Sequence, residues 1–224
     1  TDPDNALAGS GTVEGAAFAL LGLLIAFTFS GAAGRFDSRR QQIVEEANDI
    51  GTAYLRIDLL PAETQPALRD LFRKYLDSRI ETYRHHSDRE AAAMESARSQ
   101  KLQSEIWAQA VAACQAKRDP ATTTLVLGAL NAMFDITTTR SMSAKMHPPP
   151  IVFVLLIGLA LVCAALAGIG MAGSKSRSWL HIVAFAAITA VTVYVILDIE
   201  HPRLGLFRLD ATDQVLVDLR ANMK

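Results

Sequence analysis

The sequence predicts an all-α integral membrane protein with three transmembrane helices and a helical domain between the first and second. Three observations carry this. Residues 13–34, VEGAAFALLGLLIAFTFSGAAG, run apolar with a single ionisable side chain, Glu14. Two further apolar blocks follow at 151–172 and 179–197. The 20% of residues that are charged fall almost wholly outside these blocks, so the soluble-looking average conceals a segregated chain. Each block matches the length of helix needed to cross a hydrocarbon core of about 30 Å at about 1.5 Å per residue.

Residues 1–12 are acidic and Gly-containing and form an N-terminal segment without the basic region of a signal peptide. In the first span, Gly15, Ala19, Gly22, Ala26 and Ser30 recur at steps of three or four. They make a narrow face on which a second helix can approach closely, as small residues do in lipid. Ordinary helix packing is the plain reading of this face, and a pore-lining or oligomer-axis face is the sharper one.

Beyond Gly34 no proline occurs before Pro61, so one helix is expected to continue out of the membrane to about Leu60, with Gly31 and Gly34 softening the junction. Phe36, Ile43, Ile50 and Ile57 recur every seven residues, with Arg40, Ala47 and Tyr54 four after the first three. That is a heptad seam for packing on other helices, flanked by Arg39, Glu45, Glu46, Asp49 and Arg56. Glu45, Glu46, Asn48 and Asp49 are read as a solvated charged face.

Leu68, Leu71, Phe72, Tyr75, Leu76, Ile80 and Tyr83 keep helical spacing after Pro66. Ser87 and Glu90 read as a capping box that opens a third polar helix to about Lys117, with Met94, Leu102, Ile106, Trp107, Val111 and Cys114 facing inward. Asp119 before Pro120 opens a fourth, which ends ahead of the triple proline at 148–150. The segment 35–147 is therefore a helical domain. The later spans form an antiparallel hairpin through the polar turn 173–178, and the tail 198–224 ends in an amphipathic stretch with Val215, Leu216 and Leu219 on one side. Arg35, Arg39, Arg40, Arg140, Lys145, Arg203 and Arg208 lie on the domain side of the spans, so the positive-inside rule places that domain and the C-terminus in the cytoplasm.

Candidate chemistry is sparse. A net charge of −1 argues against a nucleic-acid partner, which needs a basic surface. No catalytic constellation, phosphate loop, cofactor motif or metal-ligand spacing is present; His85 and His86 are adjacent and point apart on a helix. The pore or gate candidates are Glu14 at the outer interface, Thr28 as a hydroxyl, Phe29 and Phe36 as aromatic constrictions, and Asp198 at the inner end of the third span. Against each stands a plainer role: interfacial anchoring for Glu14, back-bonding to the helix for Thr28, and pairing with arginine for Asp198 and Glu200.

RFDSRRQQIVEEANDIGTAYLRIDLLP at 35–61 and DIEHPRLGLFRL at 198–209, with the late hairpin between them, resemble the bacterial bestrophin-like family of membrane proteins. The resemblance implies a multi-pass protein of the bacterial inner membrane. It also implies one more apolar helix ahead of residue 13, in keeping with a chain that opens at Thr1. Through likeness to bestrophins, pentameric channels, it implies an oligomeric anion channel, although no residue here carries over their selectivity neck or calcium clasp. Three spans in one copy are too few to enclose a pore, so conduction requires a homo-oligomer. A non-conducting scaffold or accessory subunit of a larger membrane complex is the other reading.

Overall fold

The structure, a computed structural model, describes residues 10–85, 88–171, 179–203 and 205–223. Among them the chain is helical: α1 (Ser10–Arg56) and a 3-10 turn (Ile57–Leu59), α2 (Gln65–Arg84), α3 (Arg89–Lys117), α4 (Pro120–Lys145), α5 (Pro150–Gly170), α6 (Trp179–Glu200) and α7 (Asp210–Asn222). The expected N-terminal segment up to residue 9, the Ser87 cap and the polar turn at 173–178 lie outside the described residues.

Helix α1 is already formed at Ser10, the first described residue, and continues without a break through Gly31 and Gly34. Among the described residues, three helices are long and apolar enough to cross a membrane. The chain divides into two compact units: the described residues through Phe36 together with His147–Phe207, and Asp37–Met146 together with the described residues from Arg208 on.

In the first unit, α1 packs on the two later spans. Phe18 meets Phe185 edge-on at 5.3 Å between centroids, and Arg35 meets Glu200, so α1 and α6 run the same way. The carboxylate of Glu14 lies against Gly170 at the far end of α5, whereas Phe36 shares an apolar cluster with Phe153 near its start, so α5 runs the opposite way. The two late spans are therefore antiparallel. Leu21, Leu156 and Cys163 form the buried centre. Most other large side chains of the spans face outward, as Leu20, Phe27, Leu161 and Leu180 do, which is the pattern of a surface solvated by lipid.

In the second unit, the heptad seam is buried as its spacing predicts. Ile43, Ala47, Ile50, Tyr54 and Ile57 are all buried, and from Ala47 onward the seam joins Leu68, Phe72, Tyr75 and Leu76 of α2, Ile106 and Cys114 of α3, and Leu130 and Met133 of α4. Leu216 and Met223 bring α7 into the same core. Caps mark the boundaries. The Asp88 carboxylate accepts from the Glu90 and Ala91 amides, so Asp88 is the cap that opens α3. Asp119 does the same for α4 with Ala121 and Thr122. Arg118, between α3 and Asp119, takes the left-handed conformation (φ 55°) that ends a helix.

Some inward assignments are corrected. Met94 is exposed because the buried face of α3 runs through Ser99, Leu102 and Ile106, and Val215 is exposed beside the buried Leu216. Arg40 turns to solvent, while Arg39 is buried and donates to the Met146 and Ser143 carbonyls at the end of α4.

Candidate functional site

Two polar clusters stand out, one in each unit. The first gathers at the end of α6. Ile196 and Ile199 pack with Ala32 of α1, which sets the register that brings Arg35 level with Glu200. Arg35 donates through Nε to both carboxylate oxygens at 3.1 and 3.0 Å and through Nη2 to Oε2 at 2.7 Å. Glu200 is only 1% exposed, so this forked pairing is what allows a carboxylate there at all. Gly31, one turn before Arg35, makes room: a Cβ at Gly31 would stand 3.3 Å from the guanidinium.

His147, at the approach to α5, places Nδ1 3.2 Å from Glu200 Oε1. A carboxylate only accepts, so Nδ1 carries the proton. The His147 ring stacks on His201 at 5.1 Å and 14°, and His201 donates in turn from Nδ1 to the Leu197 carbonyl. The two rings are parallel, so their remaining nitrogens do not converge on a point as metal ligands must.

Asp198 turns the other way. Its buried carboxylate accepts from the Leu206 amide on both oxygens and from the Phe207 amide on one, each at 2.9 Å. A Cβ on Gly205 would collide with that carboxylate, so glycine is required there for steric reasons.

The remaining sequence-predicted positions are distributed along the first unit. Glu14 is half-buried near Gly170. Thr28 is buried and donates to the Leu24 carbonyl at 2.7 Å, a local back-bond. Phe29 is exposed and Phe36 half-buried. Gly15, Ala19, Gly22, Ala26 and Ser30 are all exposed, and no atom lies within 4 Å of a Cβ built on Gly15 or Gly22. The face that α1 turns toward its own hairpin is the one carrying Ala17, Phe18, Leu21, Leu24 and Ile25. Bulky Leu20, Leu23 and Phe27 occupy the opposite side, so the small-residue stripe is a shallow channel between two larger faces.

The second cluster corrects the expected solvated face on α1. Glu45 and Asn48 are exposed, but Glu46 is 0% exposed. It accepts from Arg79 Nε at 2.6 Å, from Arg140 Nη1 and from the Tyr83 hydroxyl at 3.1 Å. Burial alone would raise the Glu46 carboxyl, but the Arg79 and Arg140 guanidiniums overcome it and hold the carboxyl below its usual range. Burial, then the Glu46 charge, pushes the Tyr83 phenol up, which keeps it a neutral donor. Arg140 lies 3.9 Å over the Tyr83 ring and reaches Asp213 at 3.4 Å, which ties the start of α7 to the cluster.

The signal for Glu46 was present in the spacing, because it lies three after Ile43 and four before Ile50, on the buried face. Its arginine partners lie 33 and 94 residues away, and no local pattern marks them. His147 likewise has no sequence signal. Among the described residues no three His, Cys, Asp or Glu side chains group as a metal site.

The sequence profile of the Bestrophin-like domain matches residues 8–213. The fold is similar to that of a bacterial bestrophin homologue from Klebsiella pneumoniae carrying the mutation Y211A, with a TM-score of 0.67 and 11% identity over 94% of this chain and 88% of that one. No curated protein sequence matches the chain.

Proposed function

This chain is a member of the bestrophin-like family, and on that premise we propose that it is one subunit of a homo-oligomeric, anion-conducting channel. The observation that carries the reading is the small-residue stripe of α1, which is exposed along its whole length among the described residues although it lies on a helix apolar enough to span a membrane. Such a stripe gains dispersion contacts only when another helix backbone closes on it. In the oligomer, Gly15, Ala19, Gly22, Ala26 and Ser30 face a neighbouring copy. Phe29 and Phe36 flank the stripe on its inner half and form the hydrophobic gate, and Glu14 and Thr28 belong to the same membrane unit above it. The positive-inside distribution of arginines supports a cytoplasmic position for the helical unit, in a bacterial inner membrane.

One observation favours the non-conducting reading. Glu200 is neutralised by Arg35 and Asp198 is consumed by backbone amides, so these two acids at the inner end of α6 are not left to select an ion. A native mass measurement in detergent, followed by halide flux from vesicles, tests the proposal. A symmetric homo-oligomer that passes chloride is expected. A single copy bound to unrelated chains, or a homo-oligomer that passes no ion, refutes it.

A further inference from the structure

We propose that Leu206 and Phe207 form a wedge, held by Asp198, that inserts into the interface of an anionic lipid bilayer at the C-terminal end of α6. The proposal rests on the reading of α6 as a membrane span. Past the C-terminal end of α6, Leu206 is 78% and Phe207 48% exposed.

A single exposed apolar side chain needs no explanation. Here, however, the exposure is enforced by buried chemistry. The Asp198 carboxylate is the acceptor for both backbone amides of the pair, and a buried carboxylate that lost those donors would give up most of its hydrogen bonds. Gly205 can be only glycine, because the carboxylate fills the place of its Cβ. The turn is thus fixed on three successive residues, and what it fixes is the outward projection of a leucine and a phenylalanine.

Two features identify the occupant as lipid. The wedge is continuous with the outward apolar surface of the last turns of α6, where Tyr194 and Leu197 are also exposed, and it begins only a few residues after Glu200. Arg203 and Arg208 bracket it, and basic residues beside apolar ones at a span end match anionic headgroups. Asp198 is then a positioning residue for membrane contact, which gives a role to an acid otherwise difficult to place beside the bilayer.

The test uses the full chain in vesicles of phosphatidylcholine and phosphatidylglycerol. Some lipids carry bromines at a shallow acyl position and others at a deep one. The parent supplies the control: Trp179, exposed at the opposite end of α6, is quenched if the spans are embedded at all, so failure of the membrane reading shows there first. Leu206→Trp and, separately, Phe207→Trp then report the wedge. Additional emission quenched about twofold more by shallow than by deep bromines is expected for side chains about 5–10 Å into the interface. Unquenched blue-shifted emission means that the pair is covered by protein, a second copy included, and overturns the proposal; unquenched red-shifted emission means water and overturns it equally. Asp198→Asn and Gly205→Ala, each in the Leu206→Trp chain, are expected to remove at least about half of the added quenching at unchanged Trp179 quenching. Retention of full quenching in both refutes the positioning role.

Discussion

Replacing Glu46 by glutamine preserves shape and removes one charge from the buried cluster of the second unit. Glu46 is fully buried, Arg79 is 2% exposed and Arg140 7% exposed in their side chains. The change strands two guanidiniums in a dry site, with Asp213, 3.4 Å from Arg140, as the remaining carboxylate contact among the described residues. Removing one partner of such a pair costs about 3–5 kcal/mol, most of it the penalty of the charges left behind rather than the worth of the bond. For a unit of this size about 1 kcal/mol moves the thermal midpoint by roughly 3 °C, so a fall of about 10–15 °C is expected. Trp107, packed against the core of this unit, reports the transition by fluorescence in detergent. A fall under about 3 °C would refute the reasoning, because it would mean that water reaches the guanidiniums once the carboxylate is neutral. The triple change Glu46→Leu, Arg79→Met, Arg140→Met separates net worth from stranding. A buried ion cluster replaced as a whole by apolar groups of similar volume is expected to lie within about 1 kcal/mol of the parent, or above it.

The same carboxyl sets an acid response. Its folded pKa is depressed below the ordinary 4.5, so its stabilisation is fully present above that value and is lost as pH falls through the folded pKa. A melting series from pH 6 to pH 3 should show the second unit weakening in acid and Glu46→Gln losing part of that slope. Arg35→Gln should lower the midpoint of the first unit by about 1–3 kcal/mol equivalent, discounted because Arg35 is one-third exposed; Arg35→Lys should not restore it, since an ammonium cannot reproduce the fork. Gly34→Ala, with open space at its Cβ, should be neutral or stabilise by up to about 1 kcal/mol, whereas Gly31→Ala should forfeit that gain by pressing on the Arg35 guanidinium; a melting comparison with both single variants decides this.

Much of the fold was legible because it follows from periodicity. The seam from Ile43 to Ile57 and the caps at Asp119 and Pro120 are local patterns, and the structure places them where spacing puts them. The polar clusters were less legible because charge type and position gave opposite signals. Glu46 occupies a core position on its helix, yet flanking arginines and acids make the stretch read as solvated. Pairing with arginine was expected for both Asp198 and Glu200, because an acid at a membrane boundary needs a partner; Glu200 finds Arg35, whereas Asp198 takes backbone amides instead. The His147 contribution and the capture of Asp198 by the Leu206 and Phe207 amides depend on how the chain returns after Pro202, which no spacing encodes.

That distribution of satisfied groups bears on what the membrane unit has left to offer. Arg35 and His147 absorb Glu200, two amides absorb Asp198, and the Thr28 hydroxyl is spent on its own helix. What stays unmatched among the described residues is shape: the exposed groove of Gly15, Ala19, Gly22, Ala26 and Ser30 beside the exposed Leu20, Leu23 and Phe27. A conducting path in the proposed oligomer would therefore owe its selectivity to how copies of α1 are spaced and to the dewetting of Phe29 and Phe36, more than to a ring of charge. It follows that widening the stripe contact, as in Gly22→Leu, should abolish assembly and flux together. Neutralising Asp198 should leave flux largely intact while disturbing lipid contact. The opposite pattern, flux lost with Asp198→Asn in an oligomer that remains whole, would return the acid to the ion path.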